Sequence, residues 1–436
     1  MVTLEDIAKL YIAMFGRAPE GEGLNYWYQQ ASQNDWDITE LATYMYYAAL
    51  QYEDYAYLAD PQKLVESIYE NVLGKTYQDD PSGIDYWVNQ IKSGIIPPGE
   101  VARVIIGTAE LQYPDHPATK TLHNRVEVAL YTAERIPKFT GDFEAYKNFI
   151  SIVNDDPLTI QLAERNVNSY WEQVKENAAE LAVDIVEENY GSIEAIYFTG
   201  FLSRYFQALY KSEGPIDAGF LKISSDSNDN GVKIEFHDFY YDEGASYLQG
   251  IIKVTDPNSQ NLYNFNIPGF DNSQTSELDS HYFNVDVLQT LVISSDYLTV
   301  QFAGGSKISY YDSNSLNKWL DFIQGSEEDI DLHFDFEAQD LVVYVNSMQL
   351  NFKELSGYID SAQSVFEYQG KFVYEGEEYS IKMSGDDYGN LNLEMQDTYG
   401  NSLEVHWSDT NGNGVIDQAD YLSAVFDGED ITDFLL

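Results

Sequence analysis

Residues 409–420 read D-T-N-G-N-G-V-I-D-Q-A-D, and their types fall at the spacing that calcium chemistry requires. Asp409, Asn411 and Asn413 stand at loop positions 1, 3 and 5, where hard oxygen ligands close on a divalent cation. Val415 stands at position 7, where the ligand is a backbone carbonyl. Gly414, at position 6, supplies the φ > 0 backbone of the sharp turn. Ile416 is apolar at position 8, and Asp417 and Asp420 take positions 9 and 12. An aspartate at position 12 is shorter than the usual glutamate, which points to weak binding, roughly 10⁻⁴ to 10⁻³ M as in extracellular modules. An Asn-Gly turn that binds nothing is the competing reading. Turn chemistry explains the asparagines and glycines, but not carboxylates at positions 1, 9 and 12.

The neighbouring segments must position that loop. Leu403, Val405 and Trp407 alternate with Ser402, Glu404 and His406, which is strand periodicity. Residues 421–426 are short and apolar, and are expected to form a turn or two of helix. Strand, calcium loop, helix resembles the loop-helix half used in dockerins, which carry two such loops. The second candidate here is Asp226, Asn228, Asn230 and Gly231, matching positions 1, 3, 5 and 6 before the pattern gives way to strand-like residues 232–236. A hairpin turn competes with metal binding there.

The charge balance narrows the partners. With 23 basic against 73 acidic residues the net charge is −50. Nucleic acid is excluded, because such binding is driven by Lys and Arg displacing counterions from phosphates. Anionic membrane surfaces are disfavoured for the same reason. Self-repulsion of this size destabilises a compact state unless cations screen or bind it. Hydrophobic residues make up 44% and aromatics 15% of the chain, so it is no acidic disordered tail. Cysteine is absent, removing disulfides and thiolate chemistry. No run of 18 apolar residues reads as a transmembrane segment. Glu5 and Asp6 stand where a secretory signal would be basic, so an export signal is expected elsewhere. The last ten residues, an acidic stretch ending in Phe434-Leu435-Leu436, resemble the uncleaved tails of type I secretion substrates.

The texture of the chain changes near residue 190. Leu4, Ile7, Ala8, Leu10, Tyr11 and Met14 recur at helical spacing, as do Leu64, Val65, Ile68, Tyr69 and Val72. An α-helical domain is expected over 1–190, a connecting helix or linker over 191–213, and an antiparallel β-rich domain over 214–436. Alternating runs at 232–239, 247–254, 297–302, 331–336, 341–345, 371–374, 378–383 and 390–395 argue a barrel or sandwich of about eight to twelve strands. Trp319, Leu320 and Ile323 are spaced for a short helix over 316–323 lying against the sheet. The fold class expected is therefore α+β multidomain, an all-α repeat domain followed by an antiparallel β-domain.

The helical part carries an internal repeat, with copies near 4–50 and 62–112. Tyr11, Gly16, Gly23, Tyr26 and Trp27 match Tyr69, Gly74, Gly83, Tyr86 and Trp87, with two residues inserted between the glycines of the second copy. Each copy reads as a helix ended by a C′ glycine, a polar loop, and a helix bearing a Tyr-Trp pair. The tryptophans are expected to pack between helices, with ligand stacking as the alternative. The stretches LYIAMFGRAPEGEGLNYW and IYENVLGKTYQDDPSGIDYW, with residues 124–136 and 151–168, resemble the repeats of a helical domain of unknown function, number 4214. That domain occurs in bacterial S-layer and large secreted RTX-type proteins and is related to phycobilisome linkers. The resemblance covers about residues 1–175. It implies type I export and a role at the cell surface, and it supplies no catalytic residues. Tandem glycine-rich nonapeptides of RTX proteins are absent.

Catalytic signatures are missing. The histidines, at 116, 123, 237, 281, 333 and 406, show no metal-ligand spacing, and no nucleophile elbow, phosphate loop or dinucleotide fingerprint occurs. Acidic pairs such as 329–331 and 386–387 carry no information among 73 carboxylates; solvated turns are the simpler reading. Tyrosine is abundant, at 36 residues, with Tyr240-Tyr241, Tyr310-Tyr311 and Tyr344 in the β-half. Exposed tyrosines suit subunit contacts or sugar stacking, and buried ones a tyrosine-rich sheet. The expectation is a secreted, calcium-binding structural protein of the bacterial cell surface, S-layer or S-layer-associated, assembling with itself or with other surface proteins, and not an enzyme. The alternative is a secreted adhesin that binds glycans through the β-domain, with a secreted hydrolase third.

Overall fold

The computed structural model describes residues 2–435 apart from 226–230, 241–245, 256–280, 295–298, 327–329, 331, 346–347, 361–362, 364, 375, 387–388 and 411–419; at 187–191 and 194 it describes the backbone alone. The chain divides into two compact units, Met1–Glu176 and Asn177–Leu436.

The first unit is helical, and its helix ends are written in the sequence. Helix α1 (Leu4–Phe15) starts at Thr3, whose side chain forms a capping box with Asp6, and stops at Gly16, at φ 62°. It is followed by α2 (Gly21–Asn34) and by α3 (Ile38–Ala49), which is capped by Asp37 and Glu40. A 3₁₀-helix (Glu53–Ala59) leads into α4 (Pro61–Leu73), capped by Asp60 and ended by Gly74 at φ 63°. Helices α5 (Pro81–Lys92) and α6 (Val101–Gln112) complete the second copy of the repeat. Both glycines predicted to end repeat helices do so in the left-handed conformation that a side chain disfavours. Helices α7 (Pro117–Arg135) and α8 (Phe143–Ser151) follow. Helix α9 (Leu158–Glu213) is 56 residues long. In the first unit, its Asn168, Tyr170 and Glu172 bond to Tyr131, Thr140 and Arg135.

The second unit is built on the other end of α9. Residues 191–213, expected as a connecting helix or linker, are the last turns of this helix, and Ile193, Ile196, Leu202, Phe206 and Ala208 are buried in the second unit. Fifteen described strands form one antiparallel sheet: β1 (Ile216–Asp217), β2 (Leu221–Ser225), β3 (Val232–Tyr240), β4 (Tyr247–Thr255), β5 (Tyr282–Ser294), β6 (Thr299–Phe302), β7 (Lys307–Asp312), β8 (His333–Val345), β9 (Met348–Asp360), β10 (Val365–Tyr374), β11 (Glu377–Asp386), β12 (Asn390–Asp397), β13 (Ser402–Ser408), β14 (Tyr421–Phe426) and β15 (Glu429–Asp430). Neighbours in sequence are neighbours in the sheet, except that β7 pairs with β5 and β8 beside β6. The α+β layout expected from the sequence is therefore present. The two runs expected at 331–336 and 341–345 are one strand, β8, which keeps one register with β9; its buried positions change parity at Asp340, which lies at φ 51°. Helix α10 (Leu316–Ile323) falls where Trp319 and Ile323 predicted it.

The sheet's apolar face packs on the end of α9. Phe206 meets Phe236 at 5.7 Å between ring centroids, Tyr197 meets Phe334 at 5.7 Å, and Phe201 meets Trp319 of α10 at 5.6 Å. The Tyr310 hydroxyl donates to the Ile196 carbonyl at 2.8 Å. A charge lies in the middle of this core. Arg204 is fully buried, its guanidinium 4.2 Å from the centroid of Phe283 and its Nε 3.5 Å from Asp312 Oδ2. The same carboxylate accepts the Trp319 indole N–H at 2.6 Å and the Asn314 backbone N–H at 2.8 Å. Burial raises the pKa of Asp312 above the ordinary carboxylate value, and Arg204 and these donors work against that rise.

Candidate functional site

The twelve-residue stretch 409–420 connects β13 to β14. These strands pair from Leu403 with Phe426 to Ser408 with Tyr421, so the stretch closes one end of a hairpin. The expected helix after the loop is corrected to a strand. Leu422, Ala424 and Phe426 alternate with Tyr421, Ser423 and Val425, and partners in β13 fix that two-residue period; a short, mostly apolar run alone does not tell helix from strand. The site is strand, loop, strand, and the dockerin-like order does not hold.

Both described ends of the loop are pinned. The Asp409 backbone N–H donates to the Gly389 carbonyl at 2.9 Å, in the turn before β12. Asp420, at position 12, reaches across the mouth: Oδ2 accepts the Trp407 indole N–H at 2.9 Å and Oδ1 the Thr410 backbone N–H at 3.1 Å. Nearby, Asp386 accepts from the Asn390 backbone N–H at 3.0 Å, and Ser408 bonds the Asn390 side chain. Closure of the ring and an oxygen-rich mouth fit a hard cation. Asn411, Asn413, Val415 and Asp417 lie outside the described residues, as do Asp226, Asn228 and Asn230 of the second candidate, between β2 and β3. Among the described residues, no three His, Asp or Glu side chains converge to hold a metal ion.

The histidines take local structural partners. His116 caps α7, accepting the Ala118 N–H; His123 meets Glu110 at 3.0 Å; His281 bonds the Asp312 carbonyl; His406 bonds Asn392. His333 lies 3.6 Å from Asp335 and 3.3 Å from Asp360, and these carboxylates raise its pKa, Asp335 most strongly. The acidic pairs 329–331 and 386–387 fall partly outside the described residues.

The repeat builds one aromatic corner twice. Trp87 Nε1 donates to the Tyr69 hydroxyl at 3.0 Å. In the first copy Trp27 acts on the Tyr11 hydroxyl, working against the rise in pKa that burial imposes. A Cβ on Gly23 would lie 2.6 Å from the Tyr11 hydroxyl and one on Gly83 2.7 Å from that of Tyr69, so both corners need glycine there. Tyr26 and Trp27 meet at 5.1 Å and 77°, Tyr86 and Trp87 at 5.0 Å and 76°. Tyr26 and Tyr86 are 53% and 54% exposed, so each copy presents one aromatic ring to solvent beside a packed tryptophan.

In the first copy the corner is filled. The Arg17 guanidinium carbon lies 5.3 to 5.7 Å from the ring centroids of Tyr11, Phe139, Phe143 and Tyr146, and Nη1 pairs with Glu20 at 2.8 Å. Burial alone would lower the Arg17 pKa, but Glu20 and Tyr11 more than offset it, so the cation is kept.

On the β-unit the tyrosines singled out in the sequence differ in exposure: Tyr310 is fully buried, Tyr311 and Tyr344 are half-buried, Tyr240 is exposed, and Tyr241 lies outside the described residues. Sequence reasoning missed a polar groove of about 640 Å³ across β8 to β13. Register brings Glu337, Ser356, Gln369, Lys382, Glu394 and Glu404 into one row across six strands. Its signal was present as the polar half of each alternation, but strand pairing is needed to align it.

Among the described residues no helix is long and apolar enough to cross a membrane. The chain matches no protein-family model, no curated protein and no solved structure.

Proposed function

We propose that the protein is a secreted, calcium-dependent structural component of a bacterial cell surface, S-layer or S-layer-associated, that works by protein–protein assembly. The observation that carries this reading is the ring closure of residues 409–420, with Asp420 fastened across the loop mouth to Trp407 and Thr410. Side-chain oxygens of Asp409, Asn411, Asn413, Asp417 and Asp420, with the Val415 carbonyl, would hold the ion. Calcium would neutralise carboxylates and tie the end of the hairpin. A net charge of −50 supports the same reading, because bound cations relieve the self-repulsion of protomers brought together. The resemblance of residues 1–175 to helical repeats of S-layer and RTX-type proteins supports export by a type I route. A β-domain that closes as a barrel or sandwich belongs to this reading.

Light scattering tests it. Millimolar calcium is expected to raise the particle mass of the full chain reversibly, chelator to reverse it, and Asp409→Ala with Asp420→Ala to abolish it. A chain that stays monomeric and unchanged across that range overturns the proposal. The groove of about 640 Å³ favours a second reading, a glycan-binding adhesin, since its amides, hydroxyls and carboxylates suit sugar hydroxyls. A specific hit on a glycan array, lost in Gln369→Ala, would favour that reading over assembly.

A further inference from the structure

The two repeats build the same corner and close it differently. Helix α3 ends at Ala49 and α4 begins at Pro61, leaving eleven connecting residues, 50–60; α6 ends at Gln112 and α7 begins at Pro117, leaving four, 113–116. The difference of seven residues equals the length of the 3₁₀-helix Glu53–Ala59. That helix drops Tyr55 and Leu58 into the core of the first repeat, where Tyr55 packs 5.0 Å from Phe15 and beside Arg17.

In the second repeat Leu73 stands for Phe15, Lys75 for Arg17 and Asp80 for Glu20, and the connection is too short to supply a counterpart of Tyr55. A cleft of about 380 Å³ remains, walled by Tyr69, Trp87, Ile105, Ala109 and Tyr113. Past Lys75 and His116 lies a hollow of about 400 Å³ that reaches Arg125. Lys75 forms no ion pair with Asp80, and the Arg125 side chain bonds the backbone carbonyls of Asn71 and Val153. Lys75 and Arg125 are the cations of this lining, set beside the carboxylates of Asp79 and Asp80.

We propose that this cleft is a docking site for a tyrosine flanked by carboxylates on another polypeptide. The ring would take the volume that Tyr55 takes in the first repeat, and the flanking acids would face Lys75 and Arg125. The chemistry of the occupant is read from the filled copy, in which Tyr55 follows Glu53 and Asp54. This inference stands apart from calcium binding, since the cleft lies in the helical unit and uses none of the residues 409–420.

The test is calorimetric titration of the full chain with a peptide of residues 50–60 of this sequence. Saturable binding is expected. It should weaken about tenfold or more when Tyr55 of the peptide is replaced by alanine, consistent with the burial of one aromatic ring. It should weaken likewise in the chain variant Lys75→Glu, and be lost in Ala109→Trp, which fills the cleft. Circular dichroism checks that both variants fold; Lys75→Glu sits on the rim and keeps the test alive if Ala109→Trp does not. No saturable binding at about 1 mM peptide, or equal binding by the alanine peptide, or binding unchanged in Lys75→Glu, overturns the proposal.

Discussion

Each unit buries an arginine among aromatic rings, and the two solve the problem of its charge over different chain distances. Arg17 pairs with Glu20, three residues away, in a loop between two helices. Arg204 pairs with Asp312, brought from a strand more than a hundred residues on, and shares that carboxylate with Trp319 and Asn314. The first is a local device, and the matching positions of the second copy, Lys75 and Asp80, form no such pair. The second joins helix, sheet and α10 in one network. A local pair can form as its helices cap, whereas the distant pair waits for the sheet to be laid on α9. Buried ion pairs repay desolvation only when geometry and extra hydrogen bonds are good, and the longer-range pair has more of both at stake.

The largest effect expected from breaking this comparison is at Asp312. Asp312→Leu strands Arg204 and removes an acceptor from Trp319, and should destabilise the second unit by about 3–5 kcal/mol in denaturant titration. Arg204→Met combined with Asp312→Leu should recover much of that loss, because an apolar pair of similar volume avoids the desolvation cost. A double variant no better than the single would remove the ion pair from the account. The next effect is at Glu20. Glu20→Ala leaves Arg17 inside its aromatic cage and should cost about 3 kcal/mol in the first unit. Its counterpart Asp80→Ala loses only the cap on α5, about 1 kcal/mol. Equal losses, read by hydrogen exchange, would mean that the two corners are not filled and open versions of one site. The smallest effect is a pH slope confined to the second unit. His333 has its folded pKa raised, first by Asp335 and then by Asp360, so its contribution is fully present below about pH 6.5 and is lost as pH rises through the folded pKa. Thermal stability should fall as pH rises above about 6.5, and His333→Gln should flatten that slope.

Much of the helical unit was legible residue by residue. Thr3 with Asp6, Asp37 with Glu40, Gly16 and Gly74 act within a few positions of themselves, so their types announce the helix ends they make. Helix α10 was legible for the same reason. The β-unit was legible only in part. Alternation marked β3, β4 and β12, but split β8 at Asp340, where the period of buried positions slips by one. It also left residues 421–426 open to a helix, because only pairing with β13 sets their period. At the candidate site, the ligand spacing of 409–420 was plain in the sequence; the fastening of Asp420 to Trp407 was not, since the two lie on opposite strands of the hairpin.

By itself, then, the sequence determined the net charge of −50, the duplicated corner with its Tyr, Gly and Trp, and the spacing of Asp and Asn over 409–420. Those depend on residue type and on spacing of a few positions. Tertiary structure alone decided that a single helix, α9, runs from 158 to 213, that Arg204 meets Asp312 beneath Phe283, and that one corner is plugged by Tyr55 while its copy stays open. Such contacts join residues far apart in the chain, and the burial that makes them favourable exists only once the units have packed.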